Sequence, residues 1–116
     1  MIKHHFNIFV VTLLLVFLNP LSGFALTKEI ADSCYRQGNY QQAISDYKAL
    51  LRQGVSSDLY YNLGNAYYRS DSLAQAILNY ERAYRLSPSD ADVKFNLQFA
   101  RSKTIDKITP ESDNFF

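Results

Sequence analysis

Side chains that could carry catalytic chemistry are scarce in most of this 116-residue sequence. Both histidines, His4 and His5, fall within the N-terminal segment 1–25, and the rest of the chain has one cysteine, Cys34. Without histidine, that larger part cannot form an imidazole metal site, a Ser-His-Asp triad or a Cys-His pair. Its glycines are scattered, so no glycine-rich loop is available to hold a phosphate. The sequence therefore argues against an enzyme and predicts no metal, cofactor or small-molecule substrate.

The charged residues fit structural roles. Asp58, Asp90 and Asp92 stand at expected helix starts, and Glu81 lies one helical turn before Arg85. Helix capping and ion pairing across one helical turn explain such positions. After Ala25, eleven basic residues balance eleven acidic ones. A neutral chain lacks the dense positive surface of sequence-independent nucleic-acid binding, so we expect no nucleic-acid partner.

Cys34 has two interpretations. It occupies a position that helical spacing places on a buried face, where a thiol acts as a small apolar side chain. Alternatively, Cys34 could be a redox-sensitive or cross-linking thiol, because a single cysteine has no partner in its own chain. The structural role is the one we predict.

The N-terminal segment 1–25 has the layout of a secretory signal peptide. Lys3 precedes an apolar run over residues 6–18, Pro20 interrupts any helix, and Gly23 and Ala25 provide a small-residue cleavage site. The alternative is an uncleaved membrane anchor, but as a helix the apolar run would reach about 20 Å, short of a ~30 Å hydrocarbon core. We predict an exported protein, located in the periplasm or on the periplasmic side of the inner membrane.

The remaining sequence repeats itself. At an offset of 33, identical residues recur as Tyr35/Tyr68, Arg36/Arg69, Gln42/Gln75, Ala43/Ala76, Ile44/Ile77, Tyr47/Tyr80, Arg52/Arg85 and Ser56/Ser89. The offset then becomes 34, pairing Asp58, Asn62, Leu63 and Ala66 with Asp92, Asn96, Leu97 and Ala100. A fixed period of this length is typical of an architecture built from stacked units.

Each unit predicts two helices joined by a tight turn. Apolar residues recur at helical spacing before and after each turn. Three tyrosines lie at helix-packing positions and are predicted to belong to the core, namely Tyr47, Tyr67 and Tyr80. Asn39 and Ser72 are predicted N-caps of the second helices. Gly38 and Asp71, each immediately before a cap, are predicted to adopt a left-handed backbone, which glycine takes freely and aspartate tolerates better than most residues.

The second unit resembles the tetratricopeptide repeat (TPR) family. The residues that follow the family pattern are Tyr60, Leu63, Gly64, Tyr67, Ala76, Tyr80, Ala83 and Pro88. The first unit matches less well, since Ala31 and Cys34 replace Gly64 and Tyr67, and the third supplies one helix. The resemblance implies an all-α solenoid of about two and a half repeats, or five helices. The predicted domains are a signal peptide over 1–25, a repeat domain over 26–106 (units of about 26–56 and 57–90, final helix 91–106) and a flexible tail over 107–116.

Three stretches, 64–68, 76–83 and 96–108, also resemble the exported TPR proteins of the Bat aerotolerance operons of Bacteroidetes. That narrower resemblance implies an envelope complex with von Willebrand-type membrane proteins and an associated ATPase, linked to oxygen or stress tolerance. Members of that group commonly continue into a membrane span, whereas this sequence ends at Phe116 after a polar segment.

The first helix of each unit is expected to line the concave side of the solenoid. Its outward residues are Lys28, Asp32, Tyr35, Arg36, Asp58, Tyr61, Asn62, Asn65, Tyr68, Arg69, Phe95, Asn96 and Phe99. Aromatic, arginine and asparagine side chains are typical of interface hot spots, so we predict a groove for a protein or peptide partner. Two alternatives stay open. The stripe could be an ordinary solvated face, or the chain could be a structural element that associates with itself, since solenoids of this type usually need three units.

Overall fold

The computed structural model describes residues 25–108, and five α-helices account for most of that range. The helices are α1 (Lys28–Arg36), α2 (Tyr40–Gln53), α3 (Ser57–Arg69), α4 (Leu73–Leu86) and α5 (Ala91–Ile108). Each helix packs mainly against its neighbours in sequence, and α1 also touches α3. This sequential hairpin packing confirms the predicted all-α architecture of five helices. Residues 1–24 of the predicted signal peptide and residues 109–116 of the predicted tail lie outside the described residues.

Side chains of Thr27, Asn39 and Ser56 cap the first three helices. Each accepts a hydrogen bond from the backbone N–H three residues later, at 3.4, 3.4 and 3.1 Å. Asp90 does the same for α5, accepting from Asp92 and Val93 at 3.0 and 3.2 Å. These bonds satisfy amide groups that have no partner inside the helix.

The N-cap of α4 differs from the prediction. Ser72 occupies the expected position, but its side chain makes no capping hydrogen bond. Its backbone N–H instead donates to the carbonyl of Tyr67 at 2.9 Å. That bond closes the preceding helix, so position 72 serves the turn through its backbone.

The two turns within the repeats have the same backbone geometry. Gly38 and Asp71 have φ values of 78° and 62°, which confirms the predicted left-handed conformation. In each turn the following amide donates to a carbonyl five residues back, at Cys34 in the first turn and Tyr67 in the second, both at 2.9 Å. This six-to-one bond is the Schellman arrangement that ends helices at a left-handed residue.

Two clusters of buried side chains form the core. The first comprises Ala31, Ala43, Ile44, Tyr47, Leu63 and Ala66, and the second comprises Ala76, Tyr80, Leu97 and Ala100. Tyr67 packs against both clusters and so joins them, although it is half-buried where the repeat pattern suggested a core residue. Within residues 25–108, none of the helices combines the length and apolar character needed to cross a membrane.

Candidate functional site

The predicted stripe forms a groove along α1 and α3. A cavity of about 220 Å³ is lined there by Lys28, Asp32, Tyr35, Arg36, Tyr47, Asn62 and Asn65. All of these except Tyr47 were predicted from the sequence. We call this surface the concave groove, and it continues along α5 through Asn96, Phe95 and Phe99, which contact groove residues of α3 or one another.

Asp32 is the centre of the first polar network in the concave groove. Its carboxylate accepts hydrogen bonds from Lys28 Nζ at 2.8 Å, from the Tyr47 hydroxyl, and from Asn62 Nδ2 at 3.4 Å. Because α1, α2 and α3 each contribute a side chain, the network fixes the relative position of three helices. With these three donors already on it, Asp32 acts as a positioning residue for the groove.

Asn65 is the centre of an equivalent network one repeat later. Its side-chain oxygen accepts from the Tyr80 hydroxyl at 2.6 Å and from Asn96 Nδ2 at 3.1 Å. Asn96 Nδ2 also lies 2.9 Å from the Tyr61 hydroxyl. The repeat offset relates Asn65 to Asp32 and Tyr80 to Tyr47, so the repeat preserves the hydrogen-bond pattern as well as the packing.

The surroundings of the groove residues shift the pKa values of three tyrosines and of Asp32. Burial raises the pKa of the Tyr47 hydroxyl, and the hydrogen bond to Asp32 raises it further. Burial also raises the pKa of Tyr80, and it raises that of Tyr35 despite the opposing charge of Arg69. For Asp32, burial acts to raise the pKa, but the hydrogen bonds from Lys28 and Tyr47 outweigh it and the pKa is lowered. At neutral pH, Tyr47 and Tyr80 are therefore neutral hydrogen-bond donors, and Asp32 is an anion.

An aromatic group extends the groove toward α5. The Tyr68 and Phe99 rings lie 6.0 Å apart, and Phe95 stacks on Phe99 at 6.2 Å with an interplanar angle of 9°. The ammonium group of Lys103 lies 5.1 Å from the centre of the Phe99 ring. Phe95 and Phe99 are 66% and 42% exposed, so apolar surface is available at this end.

The other predicted residues are placed less centrally. Tyr61 is half-buried and its ring lies 5.9 Å from that of Tyr80, so it supports the groove wall. Arg69 is exposed and lies over the Tyr40 ring at 5.3 Å. Asp58 is exposed in the first turn of α3, where an acidic side chain favours the helix start. None of these three lines the cavity.

The signature residues take structural positions. Leu63, Gly64, Ala76, Tyr80 and Ala83 are buried, Tyr60 and Tyr67 are half-buried, and Pro88 is exposed after α4. Gly64 permits the close approach of α3 and α4, because a Cβ atom there would lie 2.6 Å from Tyr80 Cδ1. The small residue predicted at this position is thus required by the Tyr80 ring.

Sequence reasoning missed the hydroxyl groups of Tyr47 and Tyr80, which were predicted as core residues. Both are buried as predicted, but their hydroxyls reach the concave groove. Each tyrosine follows its partner by 15 positions in the sequence, but the partner is Asp32 in one repeat and Asn65 in the other, so comparison of the sequence with itself gives no match that would have revealed the pairing.

Cys34 is half-buried and lies beside a carboxylate. Its Sγ atom is 3.8 Å from Asp46 Oδ2, so the buried position predicted from spacing is only partly buried. Partial burial raises the pKa of the Cys34 thiol, and the Asp46 charge adds to the effect. A raised pKa disfavours the reactive thiolate.

The concave groove offers hydrogen-bonding groups for a peptide. Among residues 25–108, no hydrogen-bond partner is found for Asn62 Oδ1, for Asn65 Nδ2 or for the Arg36 guanidinium. These groups can bind the carbonyl and N–H groups of an extended backbone and one anionic group. The same part of the chain contains no cluster of three or more side chains suited to holding a metal ion.

Comparison with known proteins agrees with this architecture. Residues 28–91 match the family model for the tetratricopeptide repeat. Tetratricopeptide repeat protein 16 of Macaca fascicularis and that of Homo sapiens are each 33% identical to this chain over 76 residues. The aligned region is 65% of this chain and 9% of each relative, so the chain spans a small part of those proteins. Since the family match extends over more than half of the sequence and covers α1 to α4, the chain belongs to the tetratricopeptide repeat family, whose domains generally act as protein–protein interaction modules.

Proposed function

We propose that this protein is a non-enzymatic scaffold of the cell envelope that binds an extended segment of a partner protein in the concave groove. The observation that carries the proposal is the lining of that groove. Arg36 and the free amide atoms of Asn62 and Asn65 face a cavity whose walls are fixed by the Asp32 and Asn65 networks. A wall fixed before binding loses little conformational freedom when the partner arrives, which favours affinity.

The aromatic end of the groove adds contact area. Phe95 and Phe99 are exposed and stacked, and rigid aromatic side chains contribute strongly to binding energy in interfaces. A bound segment that runs from Arg36 toward Phe99 would meet an anion-binding end, a hydrogen-bonding middle and an apolar end. The partner is therefore expected to carry an acidic and an aromatic or aliphatic residue separated by an extended stretch.

The envelope location and the Bat context are part of the same proposal. The N-terminal segment 1–25 has the composition of a signal peptide, and the stretches 64–68, 76–83 and 96–108 resemble the exported TPR proteins of Bat operons. We therefore propose the von Willebrand-type membrane proteins of such a complex as the partners, in a role connected with oxygen or stress tolerance.

The test is affinity capture from the membrane fraction with two matched variants of the tagged chain. Arg36→Glu with Asn62→Ala alters the concave groove, whereas Lys94→Glu with Gln98→Ala makes the same change of charge on exposed residues that do not line it. We expect the first variant to lose the captured protein and the second to retain it, with equal helicity by circular dichroism. Identical capture by both variants would exclude the concave groove, and mass spectrometry of the captured protein tests the Bat assignment.

A second candidate function is self-association through α5. The exposed Phe95 and Phe99 rings provide an apolar surface on the last described helix, where a further repeat would pack in a longer solenoid. Sedimentation equilibrium of the chain and of Phe95→Asp separates this candidate from peptide binding. A dimer that the substitution abolishes supports self-association, and a monomer at all concentrations contradicts it.

A further inference from the structure

A second groove lies between α2 and α4, away from the concave groove. It has a volume of about 480 Å³. We call it the outer groove, and its lining residues are Lys48, Leu51, Arg52, Tyr60, Leu63, Tyr67, Gln75, Leu78, Asn79 and Arg82.

The outer groove and the concave groove use opposite faces of α3. Tyr60, Leu63 and Tyr67 line the outer groove, whereas Asn62 and Asn65 line the concave groove. At 3.6 residues per turn, these two sets point in directions about half a turn apart. A ligand in one groove therefore leaves the other accessible.

The charge of the outer groove is entirely positive among the described residues that line it. Lys48 and Arg52 come from α2 and Arg82 comes from α4, and no acidic side chain belongs to the lining. Arg82 lies over the Tyr60 ring at 5.7 Å. Lys48 and Arg52 stand one turn apart on one helix without an ion-pair partner in residues 25–108, an arrangement that disfavours the helix slightly. An anion between them would remove this repulsion.

A buried hydrogen-bond acceptor in the outer groove has no partner. Asn79 is 2% exposed, and its Nδ2 donates to the Gln75 carbonyl at 2.8 Å. Its Oδ1 atom is buried and accepts no hydrogen bond within the described residues. Leaving a buried acceptor unpaired is costly, so its presence in a native protein calls for an explanation.

The equivalent position of the first repeat is fully partnered. The repeat offset relates Asn79 to Asp46, whose carboxylate accepts from Gln42 Nε2 at 2.8 Å and lies 3.8 Å from Cys34 Sγ. In the second repeat Tyr67 replaces Cys34, and the Gln75 side chain makes no bond to Asn79. The free oxygen is thus specific to the outer groove.

We propose that the outer groove binds an acidic peptide segment of a partner protein. The carboxylates of the segment pair with Lys48, Arg52 and Arg82, its backbone N–H donates to Asn79 Oδ1, and its apolar atoms contact Leu51 and Leu78. A ligand that supplies anions and an N–H donor together matches an acidic peptide. The anionic groups of a lipid surface are phosphate oxygens, which accept hydrogen bonds and so cannot themselves supply the donor that Asn79 Oδ1 lacks.

The test measures the fluorescence anisotropy of a labelled peptide of about eight alternating Glu and Ser residues, with the Gln/Ser peptide as the uncharged control. The protein variants are Lys48→Gln with Arg52→Gln in the outer groove and, as the control, Arg85→Gln with Lys94→Gln at exposed positions that line neither groove; each variant removes the same total charge. We expect the outer variant to weaken binding of the acidic peptide roughly tenfold and the control variant less than twofold. Both variants should retain the helicity of the native chain, because all four side chains are exposed.

Three outcomes would overturn the proposal. Equal losses from both variants would mean that total charge alone attracts the peptide. Equal affinity for the Glu/Ser and Gln/Ser peptides would exclude recognition of the acidic groups. Sedimentation with phosphatidylglycerol vesicles that is lost in the outer variant, without binding of either peptide, would identify a membrane surface as the ligand. The concave-groove proposal is decided separately, because its variants change Arg36 and Asn62.

Discussion

The close contact between Gly64 and Tyr80 predicts that one methyl group added at position 64 lowers the stability of the fold. A Cβ atom at position 64 would lie 2.6, 2.7 and 3.2 Å from three atoms of the Tyr80 ring. The ring is 2% exposed and its hydroxyl is bound to Asn65, so it has little room to move. Overpacking of this kind costs about 1–3 kcal/mol, and replacing a helical glycine by alanine returns up to ~1 kcal/mol. We expect Gly64→Ala to lower the free energy of unfolding in urea by about 1–2 kcal/mol.

Gly54 provides the matched control for this substitution. No atom lies within 4 Å of a Cβ built there, and its φ of −178° is extended backbone that any residue adopts. Gly54→Ala should therefore change the free energy of unfolding by no more than about 0.5 kcal/mol. Similar losses at both positions would show that crowding by Tyr80 is not the cause.

Because of Asp32, the free energy of unfolding should depend on pH in the acid range. Burial acts to raise the pKa of Asp32, but hydrogen bonds from Lys28 and Tyr47 outweigh it, so the pKa in the folded protein lies below its ordinary value of 3.8. The stabilising contribution of Asp32 is therefore complete above the pKa of the unfolded chain and is lost as pH falls through the lower pKa of the folded state. Urea unfolding of the native chain and of Asp32→Asn, measured from about pH 6 to about pH 2.5, should show a smaller difference at the acid end. Parallel pH profiles would contradict this role.

At the scale of the elements, the turn between α1 and α2 depends on a left-handed residue. Gly38 has a φ of 78°, and alanine in this conformation costs about 1–2 kcal/mol. Asp71 occupies the same place in the next turn with a φ of 62°, so a short polar side chain is compatible with this geometry. Thermal unfolding should show a clear loss of stability for Gly38→Ala and a smaller one for Gly38→Asn. Equal losses would mean that the backbone conformation does not control the turn.

The helices and turns could be predicted because the sequence repeats them. Identical residues at an offset of 33 mark equivalent packing positions. A left-handed backbone is expected before each cap, because that position is glycine in one repeat and aspartate in the other. The Asp32 and Asn65 networks could not be found in this way. These two residues are equivalent in space but differ in type, so comparison of the sequence with itself gives no match there. Their partners also depend on how each helix is rotated about its own axis. The apolar periodicity does not fix this rotation closely enough to say which of two neighbouring residues faces the groove.

At the scale of the whole molecule, the two grooves differ in how their polar groups are satisfied. In the concave groove, Lys28 and Asp32 neutralise each other and hydrogen bonds link the helices. In the outer groove, Lys48 and Arg52 have no counter-charge within residues 25–108. The sequence after Ala25 is formally neutral, yet one groove contains an ion pair beside Arg36 and the other is lined by basic side chains without an acidic one. Composition alone could not show this difference, because it counts charges without placing them.

Substitution of Asn79 should affect stability and peptide binding in opposite directions. A buried acceptor without a partner destabilises the folded protein by about 1–3 kcal/mol, and replacing Asn79 by leucine removes this penalty. The same substitution loses one hydrogen bond to Gln75, worth about 1 kcal/mol. We expect Asn79→Leu to raise the free energy of unfolding by up to about 1–2 kcal/mol while weakening binding of the Glu/Ser peptide. Asp46→Leu, at the equivalent position of the first repeat, should give no gain in stability, because the Asp46 carboxylate already has partners. If Asn79→Leu instead lowered stability and left peptide binding unchanged, the free oxygen would have a structural role and the outer groove would lose its hydrogen-bonding site.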